Sequence, residues 1–286
     1  MTIRPARFIA SILTAYVFAA TAQAAECFVS SRGNDAAAGG SAATAFATVG
    51  KGVAMLKAGD TLTILPGEYL ESVEMQKLAG TKDAPITIRA QREGTVLLRG
   101  DAEVERWEAV AGSAGTFAAR FEKTAQGVAD PRTMRHFEPA ATLADLTTKP
   151  GSFFQDTKGG RLLVRSADGR KPGLLMVSIT NANGLALDSC AHVTIEGLAF
   201  TGYQHADTSV QLGSRTRWGV LASKCDGITV RRCVAYLNSG GFCFTSATAN
   251  SVIEECEAFG NTSRTIGISN QILGWGLRET LLDRLR

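Results

Sequence analysis

The chain repeats itself at a spacing of about 23 residues, and this repeat constrains the fold more than any other feature. Val230 and Cys233 have counterparts in Ile253 and Cys256, each 23 positions further on. Another copy, Cys190–Tyr203, lies upstream, and its cysteine precedes Cys225 by 35 positions. Self-similarity at a fixed period of this size is the sequence signature of a solenoid.

The upstream spacing of 35 exceeds 23 by 12 residues, which indicates one local insertion. The polar segment Gln204–Arg217 accommodates it, because the copies regain their spacing immediately afterwards. Long excursions from a solenoid often line its binding face, so this segment becomes a candidate functional loop.

Each copy contains three short apolar pieces, such as Val220–Ala222, Ile228–Arg231 and Cys233–Ala235. Apolar and polar residues alternate within them, which is typical of strands buried on one face. The sequence therefore predicts an all-β fold, a right-handed parallel β-helix with three short strands and about 23 residues per coil.

Coils stacked at the strand spacing of about 4.8 Å bring equivalent residues together. Val230 should lie over Ile253 in the interior, and Asn238 over Asn261 in an asparagine ladder at a bend. One outward column alternates in charge, which indicates a solvated ladder rather than a catalytic cluster. Its members are Glu196, Arg231 and Glu254.

The same stacking sets Cys190 over Cys225 and Cys233 over Cys256. Neighbouring coils bring Cα atoms within disulfide range, yet buried free cysteine is also a common small core residue. We favour stacked free thiols and leave disulfides as the alternative.

The remaining segments predict the domain organisation. In residues 47–60 a short helix should begin after Thr48, end by Gly59 and cover the open apolar end of the solenoid. We expect this cap and the first coils in residues 25–100, a small β-rich insertion in 101–172 and regular coils in 173–270. Residues 271–286 predict a C-terminal helical cap or the scar of a truncation.

The first 24 residues have the pattern of a secretory signal peptide. Arg4 and Arg7 precede the apolar run Phe8–Ala20, and Ala22–Ala24 offers a small-x-small cleavage site. We therefore expect a secreted or periplasmic protein without a membrane span. Removing the two arginines takes the formal charge from +3 to +1, which gives no argument for nucleic acid. We expect a monomer.

Two segments, Cys27–Val73 and Gly80–Gly100, resemble the N-terminal region of a secreted β-helix superfamily. This pectate lyase-like superfamily of right-handed parallel β-helices includes pectate-, alginate- and chondroitin-type lyases and several glycoside hydrolases. The resemblance covers Cys27–Gly100 and Asn183–Asn261. It implies that a sugar chain would lie along one parallel sheet, here the outer face of Leu185–Asp188 and its two successors, Val220–Ser223 and Phe242–Thr245.

The candidate chemistry divides by reaction class. Lyases neutralise a uronate carboxylate with calcium or Arg/Lys and abstract the adjacent proton, whereas hydrolases need two carboxyl groups. Asp188 is one carboxylate on the implied face. Calcium is therefore a possible cofactor, but the sequence shows no cluster of ligands for it. The predicted catalytic residues are His205, Asp207, Arg215, Arg217 and Lys224, and the predicted substrate-binding residues are Tyr203, Trp218, Asp188 and Arg264.

The sequence favours an exported carbohydrate-active protein that acts on or binds an acidic polysaccharide, with lyase-type β-elimination ahead of hydrolysis. The alternatives are a glycoside hydrolase, a non-catalytic glycan-binding or envelope β-helix protein, and an inactive truncated relative.

Overall fold

The computed structural model describes residues 24–205, 217–245 and 247–262, together with the backbone of Ile266–Ile268. Regular structure in these residues is almost entirely β-strand. The helices are a one-turn 3-10 helix, Ala42–Thr44, and two short α-helices, α1 (Val49–Ala54) and α2 (Leu143–Thr148). Most of the predicted signal peptide and the predicted C-terminal helix lie outside the described residues.

Three parallel sheets form the body of the molecule. Sheet 1 contains, in order, β1 (Glu26–Val29), β2 (Thr61–Ile64), β5 (Ile86–Ala90), β16 (Val193–Glu196), β19 (Thr229–Arg231) and β22 (Val252–Glu254). Sheet 2 contains β4 (Val73–Gln76), β15 (Leu185–Asp188), β18 (Trp218–Ser223), β21 (Gly240–Thr245) and β24 (Ile266–Ile268). Sheet 3 contains β3 (Gly67–Leu70), β6 (Val96–Arg99), β17 (Leu198–Thr201), β20 (Val234–Tyr236) and β23 (Glu257–Phe259).

The chain passes through sheets 1, 3 and 2 in that order, and each such passage is called a coil here. Because neighbouring strands are parallel and in register, residues one repeat apart become neighbours. Val230 pairs with Ile253, as predicted, and the outward column Glu196, Arg231 and Glu254 is also confirmed. The inward residues of the coils form one continuous apolar core.

The corner between sheets 3 and 2 carries the asparagine ladder. Asn238 accepts a hydrogen bond from the backbone N–H of Tyr203 (3.0 Å) and donates one to the carbonyl of Phe200 (3.2 Å). Asn261 does the same one coil later, with the N–H of Asn238 (2.9 Å) and the carbonyl of Ala235 (3.1 Å). Each amide therefore satisfies two backbone groups of the preceding coil rather than bonding another amide.

Cysteine and threonine take this role at the corner between sheets 2 and 1. The sulfur of Cys225 accepts from the N–H of Cys190 (3.4 Å) and donates to the carbonyl of Leu187 (3.5 Å). In the next coil the hydroxyl of Thr248 accepts from the N–H of Cys225 and donates to the carbonyl of Ala222, both at 3.3 Å. A thiol and a hydroxyl are thus interchangeable at this position.

At the corner between sheets 1 and 3, Cys256 accepts from the N–H of Cys233 (3.4 Å) and donates to the carbonyl of Val230 (3.5 Å). All six cysteines are thiols in the structure, and four of them are stacked as predicted.

Helix α1 covers the N-terminal end of the core. It begins as predicted, since the hydroxyl of Thr48 accepts the N–H of Lys51 at 3.1 Å. It ends at Ala54, earlier than the predicted limit at Gly59, because residues 57–60 instead form a turn closed by the Asp60 carboxylate. Gly52 lets the helix approach the core, where a Cβ would lie 2.7 Å from a Leu62 methyl.

An eight-stranded sheet is inserted between β6 and β15. Its order is β7 (Asp101–Val104), β14 (Leu175–Ser178), β10 (Gly127–Asp130), β11 (Arg135–Pro139), β12 (Ser152–Asp156), β13 (Arg161–Arg165), β9 (Thr116–Arg120) and β8 (Glu108–Ala109). It has its own apolar core around Trp107. The sheet extends to Ser178, beyond the limit at 172 that the sequence suggested.

The inserted sheet returns the chain to the point where it left the coil. Its first and last strands, β7 and β14, are antiparallel, with Asp101 opposite Ser178. Arg99, the last residue before the exit, binds the carboxylates of Asp101 (2.8 Å) and Glu68 (2.6 Å). Paired strands lie about 5 Å apart, so the excursion adds almost no displacement to the coil.

His136 on β11 anchors the inserted sheet to later coils. Its Nε2–H donates to the carbonyl of Gly260 (2.6 Å), and its Nδ1 lies 3.2 Å from the side-chain oxygen of Gln204. Gln204 in turn donates to the carbonyl of Leu237 (2.9 Å). The inserted sheet therefore braces three successive coils at the corner between sheets 3 and 2.

Replacing Asn238 by alanine should destabilise the protein by about 2 to 4 kcal/mol, because it leaves a buried N–H and a buried carbonyl unsatisfied. Urea unfolding of the variant and of wild type measures the difference. Gln91→Ala, at an exposed position, should change stability by less than about 0.5 kcal/mol. Equal stability of Asn238→Ala and wild type would contradict the ladder.

Stability should also depend on His136 protonation. Burial lowers the pKa of His136, and the hydrogen bonds to Gly260 and Gln204 offset this only in part. The folded state thus binds the proton less readily than the unfolded state, whose histidine pKa is about 6.5. Stability should fall as the pH drops through that value and level off below the lowered folded pKa. Urea unfolding across this window should give a flatter profile for His136→Gln; an unchanged slope would count against the assignment.

Candidate functional site

Two long segments leave the stack of coils at the same corner, between sheets 3 and 2, on consecutive coils. One is the inserted sheet between β6 and β15, and the other is the segment between β17 and β18. In the next coil, three residues suffice to connect β20 to β21. Both excursions therefore border the N-terminal ends of the sheet 2 strands, and loops placed on a rigid scaffold commonly carry function.

The outer face of sheet 2 presents two columns of side chains, because alternate residues of each strand point away from the core. The register of the strands defines their members. The columns are Glu74, Ala186, Leu221 and Cys243, and Gln76, Asp188, Ser223 and Thr245.

Two carboxylates, Glu74 and Asp188, lie on this face and are both exposed. They are diagonal neighbours on adjacent strands, because Asp188 pairs with Gln76 rather than with Glu74. Strand spacing and rise place their Cα atoms roughly 8 Å apart. The hydroxyl of Ser189 lies 3.4 Å from Asp188, and within the described part of the chain neither carboxylate has an ion-pair partner.

Two lysines border the same face where its strands end. Lys77 follows β4 and Lys224 follows β18, and both are exposed and have left-handed backbone conformations (φ 56° and 54°). Ser189 occupies the equivalent position between them (φ 55°). The lysine Cα atoms are separated by two coils, or about 10 Å. The outer face of sheet 2 therefore combines two carboxylates with positive charge along the edge where its strands end.

The outer face of sheet 1 differs because its charges are neutralised. Glu196 accepts hydrogen bonds from Arg231 (2.6 Å) and from Arg232. Burial alone would raise the pKa of Glu196, but these hydrogen bonds outweigh it and lower the pKa. A carboxylate held in this way stabilises the coil stack and is poorly suited to accept or donate protons during catalysis.

The two aromatic residues predicted to stack on sugars are buried. Tyr203 is 0% exposed and donates its hydroxyl proton to the carbonyl of Glu71 at 2.6 Å. Burial raises the pKa of Tyr203 well above its ordinary value. Trp218 is 5% exposed, and its backbone N–H binds Asn183 at 2.9 Å. Both rings therefore pack inside the corner, which corrects the prediction that they form a sugar platform.

The described ends of the loop are tied to the coils. The N–H of His205 donates to the hydroxyl of Ser239 (3.1 Å), and the guanidinium of Arg217 binds the carbonyl and the side chain of Asn181 (2.9 Å each). Burial lowers the pKa of Arg217. Among the predicted site residues, the structure brings Asp188 and Lys224 together at one edge of sheet 2, and His205 and Arg217 at the corner opposite. Asp207, Arg215 and Arg264 lie outside the described residues.

Glu74 and Lys77 were missed by the sequence analysis. Their strand, β4, begins at Val73, whereas its neighbour β15 begins at Leu185, and the inserted sheet separates them in the chain. The available signal was the alternation of Val73, Glu74, Met75 and Gln76, which indicates a strand buried on one face.

No group of three or more His, Cys, Asp or Glu side chains in the described residues could hold a metal ion. The structure thus supplies no ligand set, within those residues, for the calcium that the sequence left open. None of the described helices is long and apolar enough to span a membrane.

No protein-family model and no curated protein matches the chain, but several solved structures do. A protein described as a glycoside hydrolase has a TM-score of 0.60 at 13% identity, covering 82% of this chain and 65% of its own. A GH136 lacto-N-biosidase from Eubacterium ramulus has a TM-score of 0.45 at 14% identity, covering 88% and 36%. An alginate lyase from Paenibacillus sp. str. FPU-7 has a TM-score of 0.38 at 12% identity, covering 75% and 43%.

The chain thus spans less than two thirds of the length of each of these proteins. The similarity to the glycoside hydrolase shows a shared fold, and at this identity it shows nothing further about activity.

Tyr203→Phe should lower the free energy of unfolding by about 1 to 2 kcal/mol, because the Glu71 carbonyl loses the buried hydroxyl that donates to it. It should leave glycan binding unchanged, since the ring is enclosed. Urea unfolding and glycan titration of the same preparation test both statements. Lost binding with unaltered stability would restore Tyr203 as a sugar contact.

Proposed function

We propose that this chain is an exported right-handed parallel β-helix enzyme that cleaves an acidic polysaccharide lying along the outer face of sheet 2. Parallel strands connected through a crossover are right-handed in nearly all known proteins, which supports the hand of the coil. Export is supported by Arg4 and Arg7 before the apolar run Phe8–Ala20 and the small-x-small site Ala22–Ala24.

The observation that carries the proposal is the exposed pair of carboxylates, Glu74 and Asp188. Glycoside hydrolysis uses two carboxyl groups, one as acid and the other as base or nucleophile. Their Cα atoms are roughly 8 Å apart on one face, so the two side chains can approach the same glycosidic bond. Hydrolysis is therefore the favoured reaction.

The Ser189 hydroxyl lies 3.4 Å from Asp188, and Lys224 follows the residue that pairs with Asp188. We assign one carboxyl group of the pair as the acid that protonates the leaving oxygen and the other as the base or nucleophile.

Lys77 and Lys224 support an acidic substrate. Exposed ammonium groups attract polyanions and hold carboxylate or sulfate groups as point charges. Their positions on either side of Ser189 would let one anionic chain contact both. The same pair supports a second candidate, β-elimination, in which a lysine neutralises the uronate carboxylate before proton abstraction. The sequence alone favoured elimination, and the second carboxylate, Glu74, now favours hydrolysis.

The proposal is tested by incubating the purified protein with alginate, pectate and chondroitin and following two products. New reducing ends without unsaturated uronate absorbance support hydrolysis, and both signals rising together support elimination. Binding on a glycan array without either product would replace the enzyme by a glycan-binding protein. Absence of both binding and turnover on acidic glycans would overturn the proposal.

Glu74→Gln and Asp188→Asn should each lower kcat by about 100-fold or more while changing KM little, because each removes one proton transfer. Glu257→Gln changes an exposed carboxylate on the outer face of sheet 3 and should retain wild-type rates. Steady-state kinetics on the active substrate measures all three. Full activity in either of the first two variants would exclude that residue from the reaction.

A further inference from the structure

Four of the six cysteines form two vertical pairs at different corners of the coil. Cys190 and Cys225 are 1% and 2% exposed, and Cys233 and Cys256 are 0% and 8% exposed. In each pair the sulfur of the later residue accepts the backbone N–H of the earlier one at 3.4 Å.

This arrangement satisfies the backbone requirement for a disulfide. Residues in register on adjacent parallel coils have Cα atoms about 4.8 Å apart. Disulfides span Cα separations of about 4.4 to 6.8 Å. We propose that Cys190–Cys225 and Cys233–Cys256 are inter-coil disulfide sites that are oxidised when the chain folds in an oxidising compartment. The inference uses the proposed export but is independent of the polysaccharide site.

The chemistry is thiol–disulfide exchange with a disulfide oxidant, either a small-molecule disulfide or a dithiol–disulfide oxidoreductase. One cysteine thiolate attacks a sulfur of the oxidant and forms a mixed disulfide. The second cysteine then displaces the oxidant. The pair loses two electrons and two protons, and the oxidant leaves as two thiols.

Oxidation has to occur before the coils have closed. Cys190 and Cys225 are 1% and 2% exposed in the finished fold, so an external disulfide oxidant could not reach either sulfur there. The thiolate is the reactive form of cysteine, so attack by either residue is favoured by raising the pH of the folding buffer.

Oxidation exchanges weak hydrogen bonds for a covalent constraint. The thiols of Cys190 and Cys225 donate to the carbonyls of Met75 (3.3 Å) and Leu187 (3.5 Å), and S–H is a weak donor. The two disulfides would close segments of 35 and 23 residues. Loop closure restricts the unfolded chain, and the longer segment contains the whole excursion 204–217.

The test refolds the reduced, denatured full chain in a buffer of reduced and oxidised glutathione. Remaining thiols are then alkylated, and peptide mapping by mass spectrometry is applied to the fraction with native circular dichroism. Six cysteines allow 15 complete pairings. We expect two links, Cys190–Cys225 and Cys233–Cys256, with Cys27 and Cys243 alkylated. The oxidised sample should melt about 5 to 10 °C above the same sample after reduction.

Cys225→Thr is the matched variant, because Thr248 already fills the same position one coil later. It should fold under reducing conditions, lose only the Cys190–Cys225 link and lose part of the melting shift. Cys190→Ser should give the same set of disulfide links. It serves as a second variant in case Cys225→Thr has a folding defect of its own. Six alkylated thiols in folded oxidised material, links between other cysteines, or an unchanged melting shift in both variants would each overturn the proposal.

Discussion

Every coil of this molecule has to satisfy the backbone groups exposed where the chain turns from one sheet to the next. At all three corners a side chain from one coil accepts an N–H and donates to a carbonyl of the coil before it. Asn261, Thr248 and Cys256 do this for the same preceding coil. Buried backbone groups without partners cost about 1 to 3 kcal/mol each, so these contacts hold the stack in register.

This constraint explains why the repeat is visible in the sequence. The donor and acceptor must recur at each coil, so Asn, Cys or Thr recurs at the corners while other positions drift. The inward strand residues need only remain apolar. The outward residues of sheet 2 neither bind the backbone of another coil nor fill the core. Glu74 and Asp188 can therefore be unpaired and exposed. Side chains on this face can therefore change without loss of the fold.

The sequence predicted the parts of the structure that depend on residues one repeat apart. The pairing of Val230 with Ile253, the charge ladder on sheet 1 and the Thr48 cap of α1 are all local or periodic features. The helix end and the limit of the inserted sheet were less accurate. They depend on Asp60 closing a turn and on β14 pairing with β7. Neither contact recurs with the repeat, so the repeat does not predict them.

The candidate site was predicted only in part, for two physical reasons. Alternation identifies which face a strand residue occupies, but it cannot tell whether a corner residue such as Tyr203 is covered by a neighbouring coil. Strand β4 joins sheet 2 only because the inserted sheet brings the chain back beside it. Asp188 and Lys224 were found within the repeat, whereas Glu74 and Lys77 required that long-range pairing.

The corner between sheets 3 and 2 accommodates both a long and a short inserted segment, because each segment is held where it leaves and rejoins the coil. The inserted sheet is closed by Asp101 opposite Ser178, and the loop by the bonds of His205 to Ser239 and Arg217 to Asn181. Register across the loop is then kept by the Asn238 ladder, independently of what lies between. Segment length can therefore vary at this corner without disturbing the coils. Because the corner borders the N-terminal ends of the sheet 2 strands, the surface beside that face can change there while the fold stays fixed.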